Sequence, residues 1–214
     1  MIVLPPIVVT DTNLTSTNIP EPDTGEPAVW LIGTAYAADD TVTVTTPNVH
    51  KIYTSVQSAN TGNAPETDDG TWWVETSPTN AWAMFDTTVN TASTELTEID
   101  VTITPGTIIN GIAALNISAL TMQVIVDDPV EGVVYDNTVN LVSDSGIQDW
   151  YAYYFTPIER RTDISLTDLP AYSAATIQVI FTETGETVSV GVLALGALTT
   201  IGTTNYGTST GIIN

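Results

Sequence analysis

Trp30, Tyr36, Tyr53, Trp72 and Trp73 are the side chains of this sequence best suited to bind something. An aromatic face packs on the apolar C–H surface of a sugar ring, and its quadrupole strengthens the contact. Most of these rings must also be core, since so short a stretch has little else to bury. Successive strand residues point to opposite faces, so one of Trp72 and Trp73 should be buried and the other outward. The outward ring either binds a ligand or packs on the rest of the chain.

Other chemistry is thinly supplied. His50 is the single histidine, so a Ser-His-Asp unit would depend wholly on it, and no G-x-S-x-G elbow surrounds a serine. Two carboxylates can hydrolyse a glycoside, but 25 acidic residues single out no pair. The reading is therefore not an enzyme, and no cofactor is implied. Asp39-Asp40, Asp68-Asp69 and Asp127-Asp128 offer oxygen ligands to Ca²⁺ without the spacing of an EF-hand, and Asp is common in turns. Arg160-Arg161, the only basic pair, ties down nearby carboxylates or anchors one subunit to another.

Composition narrows the partners. Three Lys+Arg against 25 Asp+Glu give a formal net charge of −22, although only 13% of residues are charged. Phosphate backbones are repelled, which argues against nucleic acid, and anionic membranes are disfavoured in the same way. Without cysteine there is neither disulfide nor thiolate metal site. The start, Met1-Ile2-Val3-Leu4-Pro5-Pro6, lacks a basic region and is broken by prolines, unlike a signal peptide. No apolar run approaches the roughly 20 residues of a membrane helix.

The elements that position these residues are strands. Thr makes up close to one residue in five, and Val and Ile are abundant, which favours strands over helices. Alternation marks Thr41–Thr45, Glu98–Ile103, Thr176–Phe181 and Thr187–Val192. Turns are expected at Pro105-Gly106, Asn110-Gly111, Glu131-Gly132 and Thr184-Gly185-Glu186, with Val188–Leu198 reading as a strand pair. The fold class is all-β: a small aromatic module followed by an antiparallel, jelly-roll-like β-sandwich. Residues 1–27 read as an extended arm, 28–76 as the aromatic module and 77–214 as the sandwich. The Gly/Thr-rich end from Ile201 is a tail or a last edge strand.

Two further aromatic segments read as strands. Asn80–Asp86 would put Trp82 and Met84 on one face and Phe85 on the other. Trp150-Tyr151-Ala152-Tyr153-Tyr154-Phe155 is aromatic on both faces, so one side suits the core and the other a subunit contact. Trp150, Tyr151, Tyr153, Tyr154, Arg160 and Arg161 are the candidate interface residues.

Residues 30–73 resemble the small chitin-binding-type carbohydrate modules of bacterial chitinases. The shared order is Trp30, then Tyr36-Ala37-Ala38-Asp39-Asp40-Thr41-Val42, Tyr53, Gly62-Asn63-Ala64-Pro65 and Trp72-Trp73. Asp39 stands where those modules usually have Gly, a position that Asp tolerates. A second resemblance rests on Thr79–Asp86, Asp149–Phe155, Leu169–Tyr172 and Ile201–Gly207. These segments look like those of tailed-bacteriophage tail and baseplate proteins, where a chitin-binding-like segment precedes a β-sandwich. The resemblances imply a virion structural component at the tail tip, baseplate or fibre, assembled in the host cytoplasm. Its partners would be other tail proteins, further copies in three- or sixfold symmetry through the arm and the aromatic contacts, and a host glycan. Two alternatives are a free bacterial carbohydrate-binding protein and a capsid decoration or neck protein.

Overall fold

The computed structural model describes residues 2–88, 90–143, 149–155 and 159–202. The N-terminal segment, expected to reach a neighbour, runs instead along its own chain. Ile2 and Val3 pair with Thr200 and Thr199, and the Ile7 amide donates to the Leu195 carbonyl at 2.8 Å. Strand β1 (Leu14–Thr17) then adds an edge to the large sheet. Gly196 permits this approach, because a Cβ there would stand 2.0 Å from the Pro5 carbonyl oxygen.

The module is a three-stranded antiparallel sheet of β2 (Thr41–Val44), β3 (Lys51–Ser55) and β4 (Trp73–Pro78), in that spatial order. Alternation sends Val42 and Val44 into a cluster with Tyr53 and Trp73. Thr43 points the other way yet is also buried, because residues 27–30 cover it. Its hydroxyl donates to the Pro27 carbonyl at 2.7 Å, and its backbone pairs with Ala28 and Trp30. Asp39 takes φ +69, the left-handed conformation expected of it, and Asp40 closes the turn by accepting the Ala37 amide at 2.7 Å.

The sandwich contains β5 (Ser93–Ile103), β6 (Gly111–Ser118), β7 (Thr121–Asp128), β8 (Gly132–Asn140), β9 (Asp163–Leu166) and β10 (Thr176–Gly196). One layer runs β8-β7-β10-β5-β1, and β9 and β6 continue from the far half of β10. Ile99, Val101 and Ile103 of β5 face Ile177, Val179 and Phe181 of β10, all buried. Each such side chain contributes roughly 1.5–3 kcal/mol by leaving water.

The structure corrects four local expectations. Thr184-Gly185-Glu186 is not a hairpin, and 188–198 is not a strand pair: β10 runs unbroken through the first and on to Gly196. Gly185 at φ +75 and its neighbours form a bulge where the register with β5 shifts, and Thr97 on β5 is also at positive φ, +66. A bulge bends a strand, which lets β10 and β5 turn the corner between layers. Residues 83–85 form a 3₁₀ turn rather than a strand. Trp82 and Phe85, three apart, therefore contact each other while Met84 enters the core.

The fourth correction concerns Trp150–Phe155, which is a short helix, α1. It lies between two strand pieces, Val142–Ser143 and Glu159–Arg160, that pair as a stem. Among the described residues no strand pairs with it, and its backbone hydrogen bonds close within the segment. Trp150, Tyr151, Tyr154 and Phe155 are 68–77% exposed, not covered on both faces. The side chain of Tyr153 and the chain beyond Gly202 lie outside the described residues.

Candidate functional site

Trp30, Tyr36, Tyr53, Trp72 and Trp73 come together in the module, but in different roles. Trp73 is 2% exposed and donates its indole N–H to the Asn63 carbonyl at 2.9 Å. Tyr36 meets it edge-on at 5.2 Å and accepts the Leu31 amide at 2.8 Å. Burial pushes the Tyr53 phenol above its usual range; Lys51 opposes this, and Glu75 and Glu66 add to it. These three rings hold the module together. Trp30 and Trp72 flank the cluster half-buried, and the Trp30 indole nitrogen is buried with no partner among the described residues.

Trp72 is held by its backbone. The Asp68 carboxylate accepts the amides of Gly70 at 2.9 Å, Trp72 at 3.0 Å and Trp73 at 3.0 Å. On the other side the Trp72 carbonyl accepts the Val56 amide at 2.8 Å and the buried Asn60 side chain at 3.3 Å. Asn60 also takes the Asn63 carboxamide at 2.8 Å. Asp68, Asn60 and Asn63 position the tryptophan pair, a role missed in the sequence. Its only signal was turn-forming Asn and Asp crowded ahead of two adjacent tryptophans.

Trp72 and Val56, hydrogen-bonded through their backbones just outside β4 and β3, come next in register to Val74 and Thr54, and the Trp72 ring lies half-buried against the module cluster. Val56 and Val74 are 52% and 51% exposed, and the hydroxyls of Thr54 and Thr76 meet at 2.8 Å. The face thus offers an indole, two aliphatic side chains and a hydroxyl pair. Around it the module carries six carboxylates and one lysine. Lys51 is paired with Glu75 at 2.6 Å. Bonds from Thr71, its hydroxyl first, hold the exposed Asp69 below the usual carboxylate range.

His50 lies elsewhere, where the N-terminal segment, module and sandwich meet. Its ring is buried, with Nδ1 2.9 Å from Glu21, Nε2 3.0 Å from Asp11, and its face stacked on Trp82 at 3.9 Å. Carboxylates only accept, so both contacts are hydrogen bonds only when both ring nitrogens carry protons. Thr79 donates to Glu21 at 2.6 Å, completing a clasp in which neither ring nitrogen is left to serve a nucleophile. Burial works to raise the Asp11 carboxyl; bonds from His50 and the Asn48 amide outweigh it and leave the group below its usual value.

The remaining candidates make local contacts. Asp128 accepts the Val130 and Glu131 amides at 2.9 and 3.1 Å, so this Asp, like Asp40 and Asp68, shapes a turn. Among the described residues no three His, Cys, Asp or Glu side chains converge on a metal position. Arg160 is bonded to the buried Glu183, and Arg161 is exposed. The exposed aromatics of α1 pair as Trp150–Tyr154 and Tyr151–Phe155, at 6.4 and 4.7 Å between centroids.

No protein-family model and no curated protein matches the chain. Solved structures similar to it include chitosan-binding module 1 of a chitosanase/glucanase from Paenibacillus sp. IK-5. That match has 16% identity and a TM-score of 0.36, over 55% of this chain and 84% of the other. The lectin domain of Lectinolysin complexed with Lewis B antigen matches at 11% identity and TM-score 0.35, over 54% and 82%. The Clostridium perfringens module CpGH89CBM32-5, in complex with GalNAc-beta-1,3-galactose, matches at 15% and 0.35, over 68% and 92%. Scores at this level leave the reading of the site to its own geometry.

Proposed function

We propose that this chain is a non-catalytic carbohydrate-binding protein whose contact face is centred on Trp72. The observation that carries the reading is the fixed backbone setting of the half-exposed Trp72. Asp68 holds its amide, Val56 and Asn60 hold its carbonyl, and exposed Val56 and Val74 lie beside it. A preset aromatic face gives a pyranose a platform without the cost of ordering a loop. The net charge of −22 favours neutral or amine-bearing glycans over sulfated or uronic ones.

The finer reading, a component of a phage tail tip, baseplate or fibre present in several copies, rests on the sequence resemblance. Exposed aromatics on α1 support a contact between copies or with a neighbouring tail protein. A free carbohydrate-binding module is the alternative, and it would sediment as a monomer.

A glycan array with the wild-type chain and Trp72→Ala tests the first part. Binding in the wild type, weakened by about 30-fold or more (about 2 kcal/mol) in Trp72→Ala, is the expected outcome for a hot-spot aromatic. Equal binding by both proteins, or none by either, would remove the site from Trp72. Trp73→Ala is unsuitable for this purpose because it opens the core.

A further inference from the structure

A second concave feature lies away from Trp72, at the junction that His50 clasps. It is a cleft of about 310 Å³, at the small end of ligand clefts, which run roughly 300–1,000 Å³. Its floor is Trp82 and Phe85, edge-to-face at 5.8 Å, and Val9, Val49 and Pro78 wall it. Asn48 and Asp86 stand among its polar lining residues.

The polar groups are what make the cleft more than an apolar dent. Among the described residues, neither the Asn48 carboxamide nor the Trp82 indole N–H has a hydrogen-bond partner, and neither is sealed from solvent. Asn48 is fixed by its backbone, at φ +62 with its amide on Asp11 at 2.5 Å. Asp86 accepts the Thr88 amide and the Thr91 hydroxyl, both at 2.7 Å, one on each oxygen, which leaves acceptor capacity on both. The walls are preset as well. His50 of the module bonds Asp11 and Glu21 of the N-terminal segment and stacks on Trp82 of the sandwich.

This lining selects its ligand. A wholly apolar group would leave the amide and the indole N–H without partners. An anion would meet Asp86, and the lysine that lines the cleft, Lys51, is already paired with Glu75. A neutral pyranose matches both halves, with C–H groups for the Trp82–Phe85 floor and hydroxyls for Asn48 and Asp86. We propose that this cleft is a second saccharide site, taking one neutral pyranose ring independently of the Trp72 face.

The only histidine of the chain lines the cleft, so its ring resonances report occupancy. The full chain would be titrated with glucose, galactose and N-acetylglucosamine and followed by NMR at the His50 ring and the indole N–H signals. A saturable shift of His50 and Trp82 by at least one sugar is expected. It should be unchanged in Trp72→Ala and at least tenfold weaker in Asn48→Gly, a substitution that tolerates positive φ. Phe85→Leu, which shrinks the floor but keeps an apolar side chain, should weaken it too. The proposal is overturned if no sugar moves His50 up to its solubility limit. It is equally overturned if the shifts vanish in Trp72→Ala, or survive at full strength in both cleft variants. Failure at the Trp72 face alone would leave this site standing.

Discussion

Adjacent tryptophans divide between two tasks because a strand alternates: Trp73 fills the module core, and Trp72 is left at its surface. Trp73→Ala should cost about 3–5 kcal/mol, read as a lower urea midpoint, whereas Trp72→Ala, at a half-buried ring, should lower that midpoint less. Asp68→Ala strips three amides of their acceptor and should cost about 1–3 kcal/mol, with Asp68→Asn milder because it still accepts. A melt of the two variants side by side checks this, and glycan binding should fall with the first. Asp11 carries a pH signature. Its folded-state value lies below 3.8, so the bonded carboxylate stabilises the fold above its unfolded value. That contribution is lost as pH drops through the folded value. Denaturant midpoints measured downward from about pH 5 should therefore decline more steeply for the wild type than for Asp11→Asn. A parallel decline would disconnect Asp11 from folding.

At the scale of elements, the period-two pattern in 98–103 and 176–181 was legible because side-chain alternation is a local property. The inner faces it marks are the buried ones. The bulge at Gly185 was not, because a glycine at positive φ serves a tight turn and a bulge equally well. Only the partner strand distinguishes them, and β5 kinks beside it at Thr97. Likewise 150–155 has β-favouring aromatics, but among the described residues no strand pairs with it, and it closes its hydrogen bonds as a helix. Gly196 was unremarkable in the sequence, yet its missing side chain admits the Pro5 carbonyl. Gly196→Ala should lift the N-terminal segment from β10, seen as faster proteolysis within residues 2–10 and a lower melting temperature. An unchanged digestion pattern would mean that the segment is held elsewhere.

For the whole molecule, the balance lies between a net charge of −22 and the exposed aromatics of α1. Like-charged copies repel until salt screens them. Sedimentation should thus show association rising between low and high ionic strength. It should be lost when Trp150 and Tyr154 are both changed to Ser, and a monomer at every salt concentration would favour the free-module reading. Local sequence was enough for the all-β class, the aromatic cluster and the expectation that one of Trp72 and Trp73 faces inward and the other outward. β-Branched alternation and turn residues act within a few positions. Long-range packing alone settled that Trp73 is the buried ring and Trp72 the half-exposed one, that the N-terminal segment lies on the body, and that His50 joins Asp11, Glu21 and Trp82. Those outcomes depend on contacts between residues tens of positions apart, which no local spacing encodes.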